Sequence, residues 1–509
     1  MNKFYITTPI YYANAEPHLG HVYTTVCADA VARFHRLSGD ETFFLTGTDE
    51  HGLKMLQTAA KQGLQPKELA DTVSAVFQSV WRELGISHDH FIRTTDPGHK
   101  SCVQKILTRL EQNGDIYLGR YEGWYDEGQE EFITETEARA RNYVAFNRKP
   151  LIRFSEPSYF FRLSKYADPL QKFFQANSAF IQPAERQRDI LSKLQDGLED
   201  LSISRASLSW GIPFPSDPKH VVYVWIDALS NYISAVDYGS AGGRWGYWPA
   251  DVHLIGKEIL WFHAVYWPAL LLSLGLPLPR KIVAHGWWLS DGRKMSKTEG
   301  NFIGLDKLRT TIGKYGVDGL RYYLLRAAPF GNDLNWLDSE MKRSFLELSN
   351  VLGNALNRIL RMIHSYRGGV LPRAGELTAV DDALRRKAEA LLPKVKQAYA
   401  DLELQECVLA PLDLARAVNV YIDETAPYKL ASQLGGSDRL DTILNLSAQA
   451  IYQSLAALVP ALPEKAAAGL QQLGMNASEL SWERLSSGLP AGLRVADGKP
   501  LFQVTKRLY

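Results

Sequence analysis

Short apolar runs alternate with helical periodicity in the first hundred residues. Residues 4–12 read as a strand, and a helix follows from about His18 until Ser38-Gly39. The apolar positions of that helix are Leu19, Val22, Val26, Ala30 and Phe34. A second strand is predicted at Phe43-Phe44-Leu45, a second helix at about 66–84 and a third strand at His90–Arg93. This β-α-β-α-β order predicts a doubly wound parallel sheet of the Rossmann type, with ligands at the carboxyl ends of its strands.

The pattern then changes twice along the chain. Residues 1–114 and 220–339 are predicted to be two halves of one α/β catalytic domain, because apolar strands return at 221–225, 252–256 and 281–285. Residues 115–219 are expected to form a connective insertion. Leu and Ala at helical spacing predict an α-helical bundle over 340–484, and 485–509 is expected to be a tail that packs back on the body.

Composition narrows the class of protein. The 509 residues carry a net charge of +1, so any nucleic-acid contact must use a local basic patch. Cys27, Cys102 and Cys407 are far apart, which argues against structural zinc and disulfides and favours a reducing cytoplasm. Residues 259–279 lack charged side chains, but the prolines within and after this segment favour a buried helix over a membrane span.

Two short motifs indicate nucleotide chemistry. In His18-Leu19-Gly20-His21 the two histidines lie one turn apart at a helix start, where backbone N–H groups attract anions. In Lys294-Met295-Ser296-Lys297-Thr298 two lysines lie on a glycine-flanked stretch, which suits a mobile loop that clamps a triphosphate. Taken alone, the first motif can be a simple helix cap and the second a solvated basic turn. Together they predict nucleotidyl transfer from ATP.

The pair resembles the signature of class I aminoacyl-tRNA synthetases, and wider segments resemble the methionyl-tRNA synthetase family. These segments include Thr8–Asn14, Gly47–Gly52, Val224–Leu229 and His253–Glu258, together with Tyr421–Pro427 in the helical part. The resemblance therefore covers nearly the whole chain.

The resemblance implies a set of site residues. Catalysis would depend on His18, His21, Lys294 and Lys297. ATP would be bound by His18, Gly20, His21, Gly256, Glu258, Lys294, Ser296 and Lys297, with Mg²⁺ on the triphosphate. Methionine would be bound by Ile10, Tyr12, Asp49, Trp225, Ala228, Tyr232, Ile259, His263 and Trp267. Asp49 suits the substrate ammonium, and aromatic rings suit the thioether.

Two departures from the family bear on metal and assembly. Many relatives carry Cys-rich zinc knuckles in the insertion, but residues 121–131 of this chain offer carboxylates and glycine. We therefore expect the zinc-free branch, with no metal site. The chain ends at Tyr509 without the C-terminal dimer-forming domain of some relatives, so a cytoplasmic monomer is expected.

The helical part resembles the family's anticodon-binding domain. Asn354 and Arg358 are spaced i,i+4 on one helix face and match a pair that reads the first anticodon base. Tyr428 stands where the family usually has a stacking Trp. The expected function is therefore activation of L-methionine and its transfer to tRNA(Met).

Three alternatives remain at this point. One is a class I synthetase for cysteine, leucine, isoleucine or valine, disfavoured by the missing zinc ligands and the short insertion. The others are a small-molecule nucleotidyltransferase, which has no use for the helical domain, and a non-catalytic tRNA-binding paralogue, which has no need of intact motifs.

Lys297→Ala is expected to abolish adenylate formation and to leave methionine binding nearly intact, because this cation would act on the developing pyrophosphate. Pyrophosphate exchange and methionine affinity are the two measurements. A rate loss under about tenfold, ~1.4 kcal/mol, would contradict the clamp.

Overall fold

The computed structural model describes residues 2–126, 131–133, 135–145, 148–240, 242–295, 300–431, 437–476, 479–485 and 487–503. The chain divides into two compact units. The sheet unit comprises residues 3–17 and 42–285, and the helical unit comprises residues 1–2, 18–41 and 286–509. Helical residues 18–41 thus group with the second half of the chain, although they follow the first strand directly.

The strands and helices follow one another along the chain in three parts. The first part contains β1 (Lys3–Tyr12), α1 (Leu19–Leu37), β2 (Glu41–Asp49), α2 (Leu53–Gln62), α3 (Pro66–Glu83), β3 (His90–Arg93) and α4 (Pro97–Gln112). The middle contains β4 (Ile116–Asp126), β5 (Glu131–Ile133), α5 (Glu135–Ala140), β6 (Ile152–Phe161), α6 (Ala167–Ala176), β7 (Ile181–Gln182), α7 (Ala184–Leu194), β8 (Leu201–Ser202), β9 (Ser204–Arg205), β10 (Val221–Val222), α8 (Val224–Leu229), α9 (Asn231–Ser234), β11 (Val252–Gly256), α10 (Trp267–Leu274) and β12 (Ile282–His285). The last part contains β13 (Trp288–Ser290), β14 (Arg293–Lys294), α11 (Leu305–Arg326), β15 (Leu334–Trp336), α12 (Asp338–Glu347), α13 (Asn354–Arg367), α14 (Ala379–Ala400), α15 (Leu404–Thr425), α16 (Pro427–Leu430), α17 (Ser437–Leu458), α18 (Pro463–Gln472) and α19 (Trp482–Leu485).

A parallel sheet forms the centre of the sheet unit, and its described strands run in the order β3-β2-β1-β11-β12-β7. Strand β1 pairs with β11 through Ile6↔Val252 and Thr7↔His253. The chain order reverses between these two strands, which makes them the switch point where doubly wound sheets bind ligands. The predicted fold class is confirmed in this unit.

One predicted strand is wrong. The apolar run at 221–225 was expected to join the parallel sheet, but only Val221–Val222 is a strand, and it pairs antiparallel with β9. Helix α8 begins at Val224. A short apolar run has the same composition in a buried strand and in a buried helix, so its periodicity cannot separate the two.

The segment predicted as an insertion has its own antiparallel sheet. The described strands of this sheet run in the order β5-β4-β6-β8, and β4 pairs with β6 from Ile116↔Phe161 to Tyr125↔Ile152. The segment also gives the parallel sheet its edge strand, because β7 pairs with β12. The sequence did not predict that strand, since two residues carry no readable alternation.

The uncharged segment 259–279 is not one long helix. A π-helical turn at Phe262–Tyr266 leads into the eight-residue helix α10. Gly275, with φ 69°, caps the C-terminal end of that helix. Among the residues that the structure describes, no helix is long and apolar enough to cross a membrane.

The helical unit is held around a buried ion pair. Asp29 on α1 and Arg321 on α11 lie 2.7 Å apart, and neither side chain is exposed. The Arg321 guanidinium also donates to the carbonyls of Ala461 and Pro460, which precede α18. Removing one partner of such a pair typically costs about 3–5 kcal/mol, because the other charge stays buried. The pair therefore fixes α1 against the helices of this unit.

The predicted tail runs alongside the helices of the same unit. Leu371 N–H donates to Leu493, and Val495 N–H donates to Gly369. Phe502 is buried, with its ring 6.1 Å from that of Phe345.

Candidate active site and tRNA-contact residues

The start of α1 is a capped helix terminus built by two histidines. His18 is the N-cap residue, and its Nδ1 accepts from Gly20 N–H at 3.1 Å. His21 Nδ1 accepts from His18 N–H at 3.4 Å, so the two rings stack with centroids 3.7 Å apart. Burial lowers the pKa of His21 well below its ordinary range, and His18 lowers it further. The first turn therefore presents a neutral His21 at the positive end of the helix dipole, and the N–H groups of His18, Leu19 and Gly20 are bonded within the protein.

Gly20 is confined by its neighbour. A Cβ at this position would lie 3.0 Å from His18 Cε1, which is tighter than ordinary contact. The ring of Phe302 lies edge-on to His18 at 5.4 Å, and Leu19 N–H donates to Ile303 O. The stretch after the second motif therefore packs on the helix start that carries the first motif.

The second motif begins at the end of a hairpin. Strand β13 pairs with β14 through Ser290↔Arg293, and the turn between them has positive φ at Asp291 and Gly292. Lys294 ends β14, is exposed, and holds its Nζ 4.8 Å from the Trp287 ring centroid. Ser296 and Lys297 lie outside the described residues, so their predicted roles stay predictions.

The residues assigned to methionine lie at the switch point of the sheet unit. Ile10 and Tyr12 are at the end of β1, and Asp49 ends β2. Trp225 and Ala228 are on α8, and Tyr232 is on α9. Ile259, His263 and Trp267 follow β11 in the turns that lead into α10. Trp225, Tyr232 and Trp267 belong to the hydrophobic core of the sheet unit, and the half-buried Ile10, Tyr12 and Ile259 pack against that core. The Tyr232 and Trp267 rings lie 5.8 Å apart.

Hydrogen bonds fix the side chains of Tyr232 and His263. Tyr232 Oη lies 2.7 Å from His263 Nε2, and His263 Nδ1 lies 2.9 Å from the Ile259 carbonyl. Since that carbonyl can only accept, Nδ1 carries the proton and Nε2 accepts from the tyrosine. Burial lowers the pKa of His263 to about 4, against a small opposing effect of the carbonyl. The imidazole is therefore neutral at neutral pH.

Asp49 and Gly256 end β2 and β11, the strands on either side of β1. The Asp49 side chain is buried, and its backbone carbonyl accepts from Ala13 N–H at 2.9 Å. Gly256 ends β11, and a Cβ there would lie 2.5 Å from Glu258 Oε1. The exposed Glu258 carboxylate thus lies over the end of β11.

Two residues that contact these side chains were not predicted. The Phe262 ring stacks on Trp225 with centroids 3.6 Å apart and planes at 5°. His253 Nδ1 bonds to Thr7 Oγ1 at 2.8 Å, and its Nε2 accepts from Trp267 Nε1 at 3.2 Å. Both residues stand within or beside the segments that carry the family resemblance, so their place in the chain was the available signal.

The residues assigned to the anticodon lie in the helical unit. Asn354 Nδ2 and Arg358 Nη1 both reach Asn419 Oδ1 on α15, at 3.3 and 3.4 Å. The i,i+4 spacing therefore does bring both to one neighbour. Arg358 also pairs with Asp423 at 2.6 Å. Tyr428 is the second residue of α16, after Pro427, and is 60% exposed.

The parallel sheet, the histidine-capped helix and the hairpin that leads into the second motif are features of a class I aminoacyl-tRNA synthetase. The family model described as "tRNA synthetases class I (M)" matches residues 4–144 and 140–360. The methionine–tRNA ligase of Caldanaerobacter subterraneus subsp. tengcongensis is 44% identical over 503 residues, which cover 98% of this chain and 78% of that protein.

Two further comparisons agree with these matches. The methionine–tRNA ligase of Mesorhizobium japonicum is 43% identical over 94% of this chain and 92% of its own length. The structure of Mycobacterium tuberculosis methionyl-tRNA synthetase in complex with methionyl-adenylate superposes with a TM-score of 0.94 at 37% identity, covering 99% of this chain and 100% of that one. The chain belongs to the methionine–tRNA ligase family of class I aminoacyl-tRNA synthetases, which sets aside the three alternatives left open by the sequence.

The neutral state of His263 lowers the free energy of unfolding at acidic pH. Its ordinary pKa of 6.5 applies to the unfolded chain, and its folded pKa is about 4. Between these values the unfolded state binds one more proton, so this residue removes about 1.4 kcal/mol of stability per pH unit as the pH falls. The destabilisation caused by His263→Gln should therefore be about 2 kcal/mol smaller at pH 5 than at pH 7.

The measurement is the free energy of unfolding in urea at both pH values. Tyr232→Phe is the matched control, because it removes the same hydrogen bond and leaves the imidazole in place. Its cost should not change between pH 7 and pH 5. An equal cost of His263→Gln at both pH values would contradict the neutral buried imidazole.

Proposed function

We propose that this chain activates L-methionine with ATP and transfers it to tRNA(Met). A carboxylate oxygen of methionine attacks the α-phosphorus of ATP in line, and the bond to pyrophosphate breaks. Methionyl-adenylate forms, and the 3′-terminal ribose hydroxyl of the tRNA then takes the methionyl group and releases AMP. The buried aromatic cluster with a neutral His263, at the switch point of the parallel sheet, is the observation that carries this proposal.

Methionine is held at both of its ends in this proposal. Asp49, buried at the end of β2, takes the substrate ammonium. The rings of Trp225, Tyr232 and Trp267 surround the thioether, where each sulfur–ring contact is worth about 0.3–1.5 kcal/mol. Such a pocket separates methionine from homocysteine by one methyl group, so discrimination on binding is limited to about 1–3 kcal/mol.

ATP is held by charge and by the imidazoles at a helix start. His18, Gly20 and His21 provide the helix start, and Lys294 with Lys297 provides two cations for the departing pyrophosphate. Gly256 and Glu258, which the family resemblance also assigns to ATP, lie at the end of β11 and just after it. Mg²⁺ arrives with the triphosphate, bound mainly by phosphate oxygens and water. We assign no general base, since charge neutralisation and positioning suffice for phosphoryl displacement.

The helical unit is proposed to read the anticodon of tRNA(Met). Arg358 and Asn354 would hydrogen-bond the first anticodon base, and exposed Tyr428 would stack on an unpaired base. We further propose a cytoplasmic monomer, for which the three free and buried cysteines are the supporting compartment signal.

Charging of tRNA tests the activity and the role of Arg358 together. With ATP, Mg²⁺ and tRNA(Met), the unaltered chain should attach methionine. Arg358→Ala should lower kcat/KM for tRNA by about 1–3 kcal/mol in free energy and leave tRNA-independent pyrophosphate exchange unchanged. The reason is that Arg358 is half-buried and its partner Asp423 is exposed, and ion pairs close to the surface contribute little to stability.

Arg385→Ala is the matched control. It removes the same charge from an exposed ion pair on α14, and neither activity should change. Equal losses of exchange and charging in Arg358→Ala would mean that Arg358 supports the fold, and its anticodon role would be withdrawn.

The chain is also proposed to work without zinc. Residues 121–131 hold no cysteine, and within the described residues no group of three His, Cys, Asp or Glu side chains could hold a metal ion. Full exchange activity is therefore expected after treatment with a zinc chelator and restoration of Mg²⁺. Elemental analysis that finds one zinc ion per chain would overturn this proposal.

A further inference from the structure

A buried carboxylate links the two sides of the methionine site. Asp227 on α8 is 1% exposed. Its Oδ2 accepts from His51 Nδ1 at 2.6 Å, and its Oδ1 accepts from His99 Nε2 at 2.7 Å. The second nitrogen of His99 bonds to Ser234 Oγ at 2.8 Å. The carboxylate and its two imidazoles thus join α8 and α9 to α4 and to the segment that follows β2.

The helices joined in this way cannot position themselves. Helix α8 has six residues and α9 has four, well below the roughly 12–15 that an isolated helix needs in water. These two helices carry Trp225, Ala228 and Tyr232. Each residue of a helix turns it by about 100°, so Asp227 lies roughly 200° around α8 from Trp225. Asp227 therefore holds α8 from the side opposite to the Trp225 ring.

The other end of the link leads to the ammonium site. His51 lies two residues after Asp49, and the intervening Glu50 carbonyl accepts from Trp210 Nε1 at 2.6 Å. The contact between His51 and Asp227 therefore joins the segment after Asp49 to α8, and so bears on the distance between Asp49 and the Trp225 ring. That distance must match the length of the methionine side chain, from its ammonium to its methylthio group.

The carboxylate is charged in the folded chain. Burial would raise the pKa of Asp227, but the charges of His51 and His99 and their hydrogen bonds outweigh burial and lower it to about 2. An asparagine at this position keeps the shape but offers one acceptor oxygen and one donor amide. One of the two imidazole N–H groups would then lose its acceptor.

We propose, on the basis of the proposed function, that Asp227 is a positioning residue. It holds Asp49, which would bind the ammonium, and the rings of Trp225 and Tyr232, which would contact the thioether, at the separation that methionine requires. It acts through His51 and His99 and does not touch the substrate. A change at Asp227 therefore weakens the binding of methionine and leaves the binding of ATP almost unchanged.

Methionine-dependent pyrophosphate exchange in Asp227→Asn tests this inference, with rates normalised to the concentration of folded enzyme. The methionine KM should rise at least tenfold, and the ATP KM should change less than twofold. Equilibrium dialysis should show the same loss of methionine affinity without ATP. An unchanged methionine KM would overturn the inference, and so would a lower active fraction with normal KM values, which indicates only a structural role.

His99 provides a second pair of variants if Asp227→Asn does not fold. His99 lines a cavity of about 320 Å³, which leaves room for a changed side chain. His99→Gln keeps an N–H at the place of Nε2 and should stay within threefold of the unaltered methionine KM, whereas His99→Leu should raise it at least fivefold. Equal KM values in the two variants would overturn the inference. Absence of exchange in the unaltered chain would instead contradict the proposed function itself.

Discussion

The parallel pairing of β1 with β11 is the constraint on which the sheet unit depends. These neighbouring strands are about 246 residues apart in the chain, and they are joined by more than ladder hydrogen bonds. The Asp251 carboxylate accepts from Tyr5 N–H at 2.7 Å, and His253 bonds to Thr7. Because this register is fixed, the residues that end β1 meet those that follow β11. The residues proposed to bind methionine come together through that meeting, since neither strand carries enough of them alone.

Buried charged side chains fix helices that the hydrogen bonds of the parallel sheet do not hold. In the sheet unit Asp227 ties two very short helices to the segment after β2, and in the helical unit Asp29 and Arg321 tie α1 to α11. A buried pair of this kind is costly to break, so it favours one arrangement of the elements over neighbouring ones. The elements positioned in this way carry Trp225 and Tyr232 in the sheet unit and the N-cap residue His18 in the helical unit.

The sequence revealed whatever was local. Apolar periodicity predicted β1, β2, β3, β11 and β12, and it placed Asp49 at a strand end. The family resemblance indicated the aromatic residues that the structure packs together. Two features could not be predicted. The run at 221–225 was too short for its period to separate strand from helix, and the links of Asp227 to His51 and His99 join residues 176 and 128 positions apart, which no local pattern records.

Amino-acid-dependent exchange of pyrophosphate into ATP, without tRNA, tests the central claim most directly. Methionine, homocysteine, cysteine, leucine, isoleucine and valine are compared at equal concentration. The aromatic pocket at the switch point predicts fast exchange with methionine, weaker exchange with homocysteine, and none above background with the other four. Exchange that is faster with cysteine, leucine, isoleucine or valine than with methionine would contradict the assignment of this pocket to methionine.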